Sequence, residues 1–92
     1  MGKTFNLTIL RPDKIIYQGR ALSLIAPCEN GYLGVLADHA ALAANVVGGK
    51  ISVREKQAAE PLVFHSEGKG FLEVLNNNVN LVLNYTDAQS VI

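Results

Sequence analysis

The stretch that decides the fold is Glu29-Asn30-Gly31-Tyr32-Leu33-Gly34-Val35-Leu36-Ala37-Asp38-His39-Ala40-Ala41-Leu42. Two glycines bracket one aromatic and one aliphatic residue, and a short apolar run then leads to an Asp-His pair. The stretch is neither a clean alternating strand nor a simple turn. We expect a loop that enters a short strand and leaves in a tight crossing. Because irregular segments on a rigid scaffold carry function disproportionately, any working surface is expected here.

On both sides of this stretch, apolar and polar residues alternate with the period of two that half-buried strands show. The clearest examples run from Phe5 to Ile9 and from Val79 to Tyr85. Gly19 is expected to end or bulge the second strand, and Pro27 to stop the third. No segment has a helical period. About nine short strands separated by turn signals predict an all-β fold, a β-sandwich of about nine to ten short strands.

Composition narrows the class of protein. The chain has 92 residues, which predicts a single domain over residues 1–92. Lys plus Arg and Asp plus Glu both number 8, so the formal net charge is zero. A general nucleic-acid binder needs an excess of basic residues, and no nucleic-acid partner is expected. No stretch approaches the roughly 18–20 apolar residues of a membrane-spanning helix.

A search for catalytic and metal-binding patterns gives no candidate. Cys28 is the single cysteine, so no internal disulfide can form. His39 and His65 are not clustered with other ligands, which predicts no metal site. The glycines around Tyr32 lack the ending of a phosphate-binding loop, and no following helix is predicted. Tyr32 is either an interface anchor or a residue that folds back onto the end of the sandwich.

The residues Gly31-x-Leu33-Gly34-Val35-Leu36-x-x-His39-Ala40-x-Leu42 resemble the signature Gly-x-Leu-Gly-Ile-Leu-Pro-Gly-His-Ala-Pro-Leu of the epsilon subunit of the F-type ATP synthase. Three more segments resemble that family in the same order, namely Gly49-Lys50-Ile51, Gly70-Phe71-Leu72-Glu73-Val74 and Asn78-Val79-Asn80-Leu81-Val82-Leu83. The resemblance spans nearly the whole chain, and its ordered set of motifs is specific.

The resemblance implies a β-sandwich in the central stalk of the rotor. Such a subunit sits against the gamma subunit and touches the polar loops of the c-subunit ring. Torque from ion-driven ring rotation then passes to the catalytic alpha/beta hexamer, which this subunit serves only indirectly. The resemblance therefore implies a non-catalytic subunit without a cofactor. It implies a peripheral location on the cytoplasmic face of the cell inner membrane, or on the matrix or stroma side in an organelle.

The resemblance also assigns two sets of contact residues. The c-ring contacts are Glu29, Asn30, Gly31, Tyr32 and Leu33. The gamma-subunit contacts are Asp38, His39, Ala40, Ala41 and Leu42.

The chain departs from the family pattern at several positions. Tyr32 stands where an acidic residue is common, Ala37-Asp38 replaces Pro-Gly, and Asn84 replaces an acid near the end of the last strand. Family members commonly continue into a C-terminal helical hairpin that inhibits ATP hydrolysis and in some members binds ATP. If the chain is complete at Ile92, we expect a coupling subunit without this autoinhibitory arm.

A second reading remains open. The sequence is also compatible with a stand-alone β-sandwich module that binds peptide or sugar. That reading predicts a groove lined by several exposed aromatic side chains, since aromatic rings supply most of the contact area at such sites.

Overall fold

The computed structural model describes residues 3–57 and 59–83. These residues form strands and turns only, which confirms the all-β prediction. The nine strands are β1 Phe5–Arg11, β2 Lys14–Ala21, β3 Ser23–Cys28, β4 Gly31–Leu36, β5 Leu42–Val46, β6 Gly49–Arg54, β7 Leu62–Ser66, β8 Gly70–Leu75 and β9 Asn78–Leu83. The predicted strand that reached Tyr85, and the departure at Asn84, extend beyond the described residues.

The strands form one hydrogen-bonded sheet that curls into two layers. The first layer has the order β2-β1-β9-β8-β5, and the second has the order β4-β3-β6-β7. All pairings are antiparallel except that of β1 with β9, which is parallel. The layers join where Cys28 pairs with Val46, because β5 leads into β6 through Val47 and Gly48.

The core lies between the two layers and is built by every second residue of the strands. The residues of largest volume with no exposed surface are Phe5, Leu7, Ile9, Leu24, Ile51, Leu72 and Leu81. Burial of each such side chain contributes about 1.5–3 kcal/mol relative to an exposed position. The alternation that predicted strands in the sequence is therefore the alternation that builds the core.

The prediction that Gly19 ends or bulges β2 is wrong. The strand continues to Ala21, and the bulged residue of β2 is Ile16, which lies between the partners of Ile9 and Leu10 and has no partner in β1. A Cβ atom on Gly19 would lie 2.9 Å from the hydroxyl oxygen of Tyr17. The glycine therefore leaves room for the Tyr17 ring on the same face of the strand.

The prediction that Pro27 stops β3 is also wrong. Pro27 is buried inside the strand, and its carbonyl oxygen accepts a hydrogen bond from the Val47 N–H at 2.8 Å. The proline nitrogen faces Val47 and Gly48, the two residues between β5 and β6, where the ladder of backbone hydrogen bonds to β3 is interrupted. Because no ladder donor is needed there, proline is tolerated. The strand therefore reaches Cys28 and leads directly into a hairpin.

The outer face of the first layer carries a polar network around Asn6, beside the exposed apolar side chains of Phe71 and Leu75 on β8. The Asn6 amide donates to Asn78 Oδ1 at 3.0 Å across the parallel pair of strands. The Arg20 guanidinium donates to Asn6 Oδ1 at 3.2 Å and to Thr4 Oγ1 at 2.8 Å. These side chains satisfy one another, which is the usual arrangement of a sheet face that meets water.

Candidate functional site

The predicted c-ring contacts form the end of an ordered hairpin, not an irregular loop. Glu29 and Asn30 make the turn, and β4 begins at once with Gly31 paired to Cys28. We call residues Glu29–Leu33 the hairpin tip. The strand was not recognised in the sequence because its glycines interrupt the alternation of apolar and polar side chains. Leu33 and Val35 nevertheless point inwards, as a strand requires.

The hairpin tip is fastened to β5. The Glu29 N–H donates to the Asn45 carbonyl oxygen at 3.1 Å, and the Asn45 amide donates to Glu29 Oε1 at 3.3 Å. The two bonds hold the turn against the first layer while the Glu29 side chain stays exposed. A carboxylate held on a rigid turn is well suited to a contact with a partner, because little entropy is lost on binding.

The two glycines of this region have different roles. Gly31 has φ of 115°, and a Cβ atom there would meet nothing within 4 Å. Its backbone conformation, not a lack of space, is what disfavours other residues. Gly34 has no positive φ and is equally uncrowded. The fold therefore requires a glycine at Gly31 and not at Gly34.

Tyr32 lies on the outer face of the second layer. It is paired across the strands with Pro27, and its hydroxyl oxygen is 3.1 Å from the point where a Cβ atom on Gly49 would lie. The side chain remains 63% exposed. The ring thus leans back over the sheet and is still accessible. Leu33 points the other way and packs against the core, and its backbone pairs with Ala26 of β3.

The predicted gamma contacts begin at a tight turn after β4. Asp38 has φ of 61°, and the His39 N–H donates to the Leu36 carbonyl oxygen at 3.3 Å. A positive φ at the third position is what a type II turn requires, and Pro-Gly is the favoured pair at its centre. Ala37-Asp38 therefore occupies a turn that suits the family's Pro-Gly. Asp tolerates this conformation better than most residues.

Asp38 is held from two sides. Its N–H donates to Asn77 Oδ1 at 2.8 Å, and its Oδ2 lies 3.7 Å from Lys3 Nζ. The Asn77 amide also donates to the Thr4 carbonyl oxygen at 3.0 Å. Asn77 therefore ties the turn to the start of β1. Asn76 and Asn77, with φ of 50° and 63°, form the turn between β8 and β9.

His39 is oriented by a backbone group. Its Nδ1 lies 2.8 Å from the Ala40 carbonyl oxygen, which fixes Nδ1 as the donor. Ala40 and Ala41 are exposed, whereas Leu42 begins β5 and packs against the core. The accessible part of this predicted set is therefore the short segment before β5.

The structure brings part of the two predicted sets together. A cavity of about 350 Å³ is lined by the hairpin tip and by the first residues of β5, Leu42 to Asn45. Residues 38–41 do not line it. Asp38 is instead bonded to Asn77 at the opposite end of β4. The tip and the crossing are thus separate surfaces that meet only at Leu42.

The reactive groups near these surfaces have structural surroundings. Burial raises the pKa of the Cys28 thiol, so the thiolate needed for nucleophilic attack is disfavoured. Burial and a hydrogen bond to the Glu55 carboxylate raise the pKa of Tyr17 to about 12. Within residues 3–57 and 59–83 there is no cluster of three His, Cys, Asp or Glu side chains that could hold a metal ion. Over the same residues, no helix has the length and hydrophobicity needed to cross a bilayer.

Comparison with known proteins gives a family match. The family described as the β-sandwich domain of the ATP synthase delta/epsilon chain matches residues 4–86. The chain is 34% identical over 80 residues to the ATP synthase epsilon chain of Leptospira borgpetersenii serovar Hardjo-bovis, covering 87% of this chain and 61% of that one. It is 41% identical over 70 residues to the epsilon chain of Moorella thermoacetica, covering 76% of this chain and 51% of that one.

An organellar relative and a solved structure extend the comparison. The chloroplastic epsilon chain of Porphyra purpurea is 32% identical over 89 residues, covering 97% of this chain and 64% of that one. The chain thus spans about half to just under two thirds of the length of these relatives. A chain in the mitochondrial ATP synthase of Euglena gracilis, solved as OSCP/F1/c-ring, has the same fold with a TM-score of 0.78 and 23% identity, covering 87% of this chain and 50% of that one.

Proposed function

The chain belongs to the family of ATP synthase delta/epsilon chains, through its β-sandwich domain, and on that premise we propose that it is a central-stalk subunit of an F-type ATP synthase. In this role it links the gamma subunit to the c-subunit ring and helps to couple ion-driven rotation to ATP synthesis. It is a non-catalytic subunit, and it reaches the alpha/beta hexamer only through gamma. The observation that carries the proposal is the family match over residues 4–86.

We propose the hairpin tip as the contact with the c-ring. The support is its rigidity and its exposure, since Glu29 and Asn30 project from a turn that is bonded to β5. Glu29 supplies the carboxylate for a polar ring loop, because Tyr32 leans over the outer face of the sheet and carries no charge. In the family the acidic residue commonly follows the glycine, at the position of Tyr32. In this chain the acidic residue of the proposed contact is Glu29, the first residue of the turn.

We propose the crossing segment as the contact with gamma. Asp38 and His39 are fixed by backbone hydrogen bonds, and Ala40 and Ala41 are small and exposed. Small exposed residues let a partner backbone come close, and fixed neighbours keep the surface in one shape. On this proposal the protein is peripheral to the membrane, on the side where the catalytic hexamer lies.

Co-purification with the cognate gamma subunit and c-ring tests this proposal. The tagged chain is expected to retain both partners. Glu29→Gln should weaken retention of the ring and leave gamma in place, while an Ala40→Glu, Ala41→Glu double variant should do the reverse. Asn80→Ala, at an exposed position on the polar outer face of β9, is the matched control. Failure of the unmodified chain to retain gamma would contradict the proposal.

The stand-alone module that binds peptide or sugar finds less support. It predicts several exposed aromatic side chains in one groove. Among the described residues the exposed aromatics are Tyr32 and Phe71, and they lie in different layers. No specific observation therefore favours that reading over the family role.

A further inference from the structure

Strand β4 leaves one side of its backbone without a partner strand. In the described part of the sheet, β4 pairs with β3 only. Pro27 and Glu29 direct their hydrogen bonds to β5, so the residues of β3 that face β4 are the alternate ones, including Cys28. By the alternation of an antiparallel ladder, the backbone N–H groups of Tyr32, Gly34 and Leu36 point away from β3.

This edge lacks the devices that normally prevent strands from pairing with other chains. Such devices include charged side chains and proline on the edge strand. The edge strand β2 carries Lys14 and Arg20, and the edge strand β7 directly follows Pro61. β4 has the sequence Gly-Tyr-Leu-Gly-Val-Leu, with neither a charge nor a proline. An unprotected edge is a ready template for pairing with a strand of another chain.

The side chains beside this edge are apolar. Tyr32 and Leu36 of β4 are each 63% exposed, and Ile25 of β3 and Val63 of β7 are 45% and 47% exposed. Ile25 lies next to Gly34 on one side and Ser52 on the other, and Ser52 is paired with Val63. Gly34 keeps the centre of this surface flat. We call these four apolar residues with Gly34 the apolar face.

Basic side chains lie at one end of the apolar face. The four strands of the second layer contain Lys50 and Arg54 but no carboxylate. At the Leu36 end, Lys3, Leu36 and Arg54 line one cavity of about 580 Å³. Lys3 also pairs with the exposed Asp38 carboxylate at 3.7 Å, and Arg54 donates to the Ala59 carbonyl oxygen, but Asp38 does not line the cavity. Glu29 lies at the other end of β4, where a second carboxylate would be repelled. The Leu36 end is thus the end that suits an acidic group.

We propose that β4 is a strand-addition site for an extended segment of a partner protein, with alternating apolar side chains and a carboxylate at the Leu36 end. The segment hydrogen-bonds to the outward N–H and C=O groups of Tyr32 and Gly34, as in other complexes where a peptide extends a sheet. Its apolar side chains cover Tyr32 and Leu36. Its carboxylate occupies the cavity beside Lys3 and Arg54.

This site goes beyond the proposed function, because strand addition needs the side of β4 and not the turn at Glu29 and Asn30. The two proposals share only Tyr32. Loss of ring binding in Glu29→Gln with unchanged peptide binding would separate them. The reverse result, intact ring and gamma binding with no peptide binding, would remove strand addition alone.

A short synthetic peptide tests the proposal. The probe alternates valine and threonine, is blocked at both ends, and carries glutamate at one terminus. One peptide has the glutamate at its N-terminus and a second has it at its C-terminus. In a third peptide, glutamine replaces the glutamate. One of the two glutamate peptides is expected to bind more tightly than the glutamine peptide. Amide exchange at Tyr32 and Gly34 should slow when that peptide is added.

Two substitutions at one residue separate a backbone contact from a side-chain contact. Gly34→Ala keeps the N–H and adds a methyl group into open space, so binding should be unchanged. Gly34→Pro removes the outward N–H but no bond to β3, and the association constant should fall about tenfold or more. If Gly34→Pro fails to fold, Leu36→Glu should weaken binding instead, because it places on the edge a charge that repels the carboxylate of the peptide.

The charge part of the proposal has its own test. Arg54→Gln should abolish the preference for glutamate over glutamine and leave the rest of the binding intact. Equal binding by Gly34→Pro and Gly34→Ala would overturn the proposal. So would chemical-shift changes centred on β2 or β7. Concentration-dependent dimerisation that Leu36→Lys abolishes would overturn it as well, since a second copy would then be the occupant.

Discussion

The outer faces of the two layers differ, although their inner faces follow the same rule. On the first layer, Asn6, Asn78 and Arg20 hydrogen-bond to one another. On the second layer, the corresponding positions hold the apolar face, which has no partner among the described residues. The core needs only the inward residues of each strand, so the outward residues are free to serve other purposes. The first face combines this polar network with the exposed apolar side chains of Phe71 and Leu75, whereas on the second face the exposed apolar side chains lie beside a strand that pairs only with β3 among the described residues.

Two glycine substitutions should show the largest contrast between the layers. A Cβ atom on Gly70 would lie 2.6 Å from the Val82 carbonyl oxygen and 3.3 Å from Val46 Cβ. Gly70→Ala should therefore lower the free energy of unfolding by about 2–3 kcal/mol, as overpacking does. Gly34→Ala should change it by less than about 0.5 kcal/mol. Urea unfolding followed by circular dichroism measures both, and equal losses would show that the two layers are similarly packed at these points.

Outward side chains should give a smaller contrast. Asn6→Ala removes the bonds to Asn78 and Arg20, and should cost about 1 kcal/mol of stability. Ile25→Thr keeps a β-branched residue at a half-exposed position, and should cost less than about 0.5 kcal/mol. Ile25→Thr should nevertheless weaken binding of the peptide probe, which Asn6→Ala should not. A loss of stability in Ile25→Thr that matched Asn6→Ala would mean that the apolar face is part of the fold.

The turn that carries the chain between the layers offers a stabilising change. Asp38 holds a left-handed conformation that glycine adopts without cost. Asp38→Gly should raise the free energy of unfolding by about 0.5 kcal/mol, because the exposed ion pair with Lys3 that is lost contributes little. The measurement is the urea midpoint, with Asp38→Ala as the control that should lower it. A lower midpoint for Asp38→Gly would show that the ion pair outweighs the strain.

A further difference concerns pH and Tyr17 of β2, whose ring packs edge-on against Phe64 of β7 with the ring centroids 5.9 Å apart. The folded pKa of Tyr17, about 12, lies above the ordinary value of 10.0. The contribution of this pKa shift to the free energy of unfolding is fully present below pH 10 and is lost as the pH rises through 12. Tyr17→Phe should therefore lose less stability than the parent between pH 10 and pH 12. If the free energy of unfolding of the two proteins fell equally between pH 10 and pH 12, the Tyr17–Glu55 bond would not be the cause of the loss of stability.

The sequence was sufficient for the fold wherever alternation was uninterrupted. Phe5 to Ile9 was recognisable because polar and apolar residues change places at every step. The same signal failed at β4, where Gly34 hides one position, and at Pro27, where tolerance depends on a distant interruption of the ladder. Such context is a property of paired strands and is not contained in either strand alone.

The motif assigned Glu29 and Asp38 to the two contact sets, but it could not give the geometry of these residues. The structure places both residues in turns. The motif could not give the bond from Asp38 to Asn77, because 39 residues separate them. It also could not give the direction of the Tyr32 ring, which depends on the space above Pro27 and Gly49. One signal was present, since a family glycine at position 38 indicates a positive φ.

The parallel pairing of β1 with β9 has a consequence for the order of events during synthesis. β9 lies between β1 and β8 in the sheet. β1 is synthesised first, but the first layer cannot be completed until β9, the last described strand, has been synthesised. Contacts between such distant parts of a chain form slowly. A ribosome-bound nascent chain that ends before Asn78 should therefore remain without this layer. Until β9 emerges, the apolar inner surface of β1 depends on the cell for protection from aggregation.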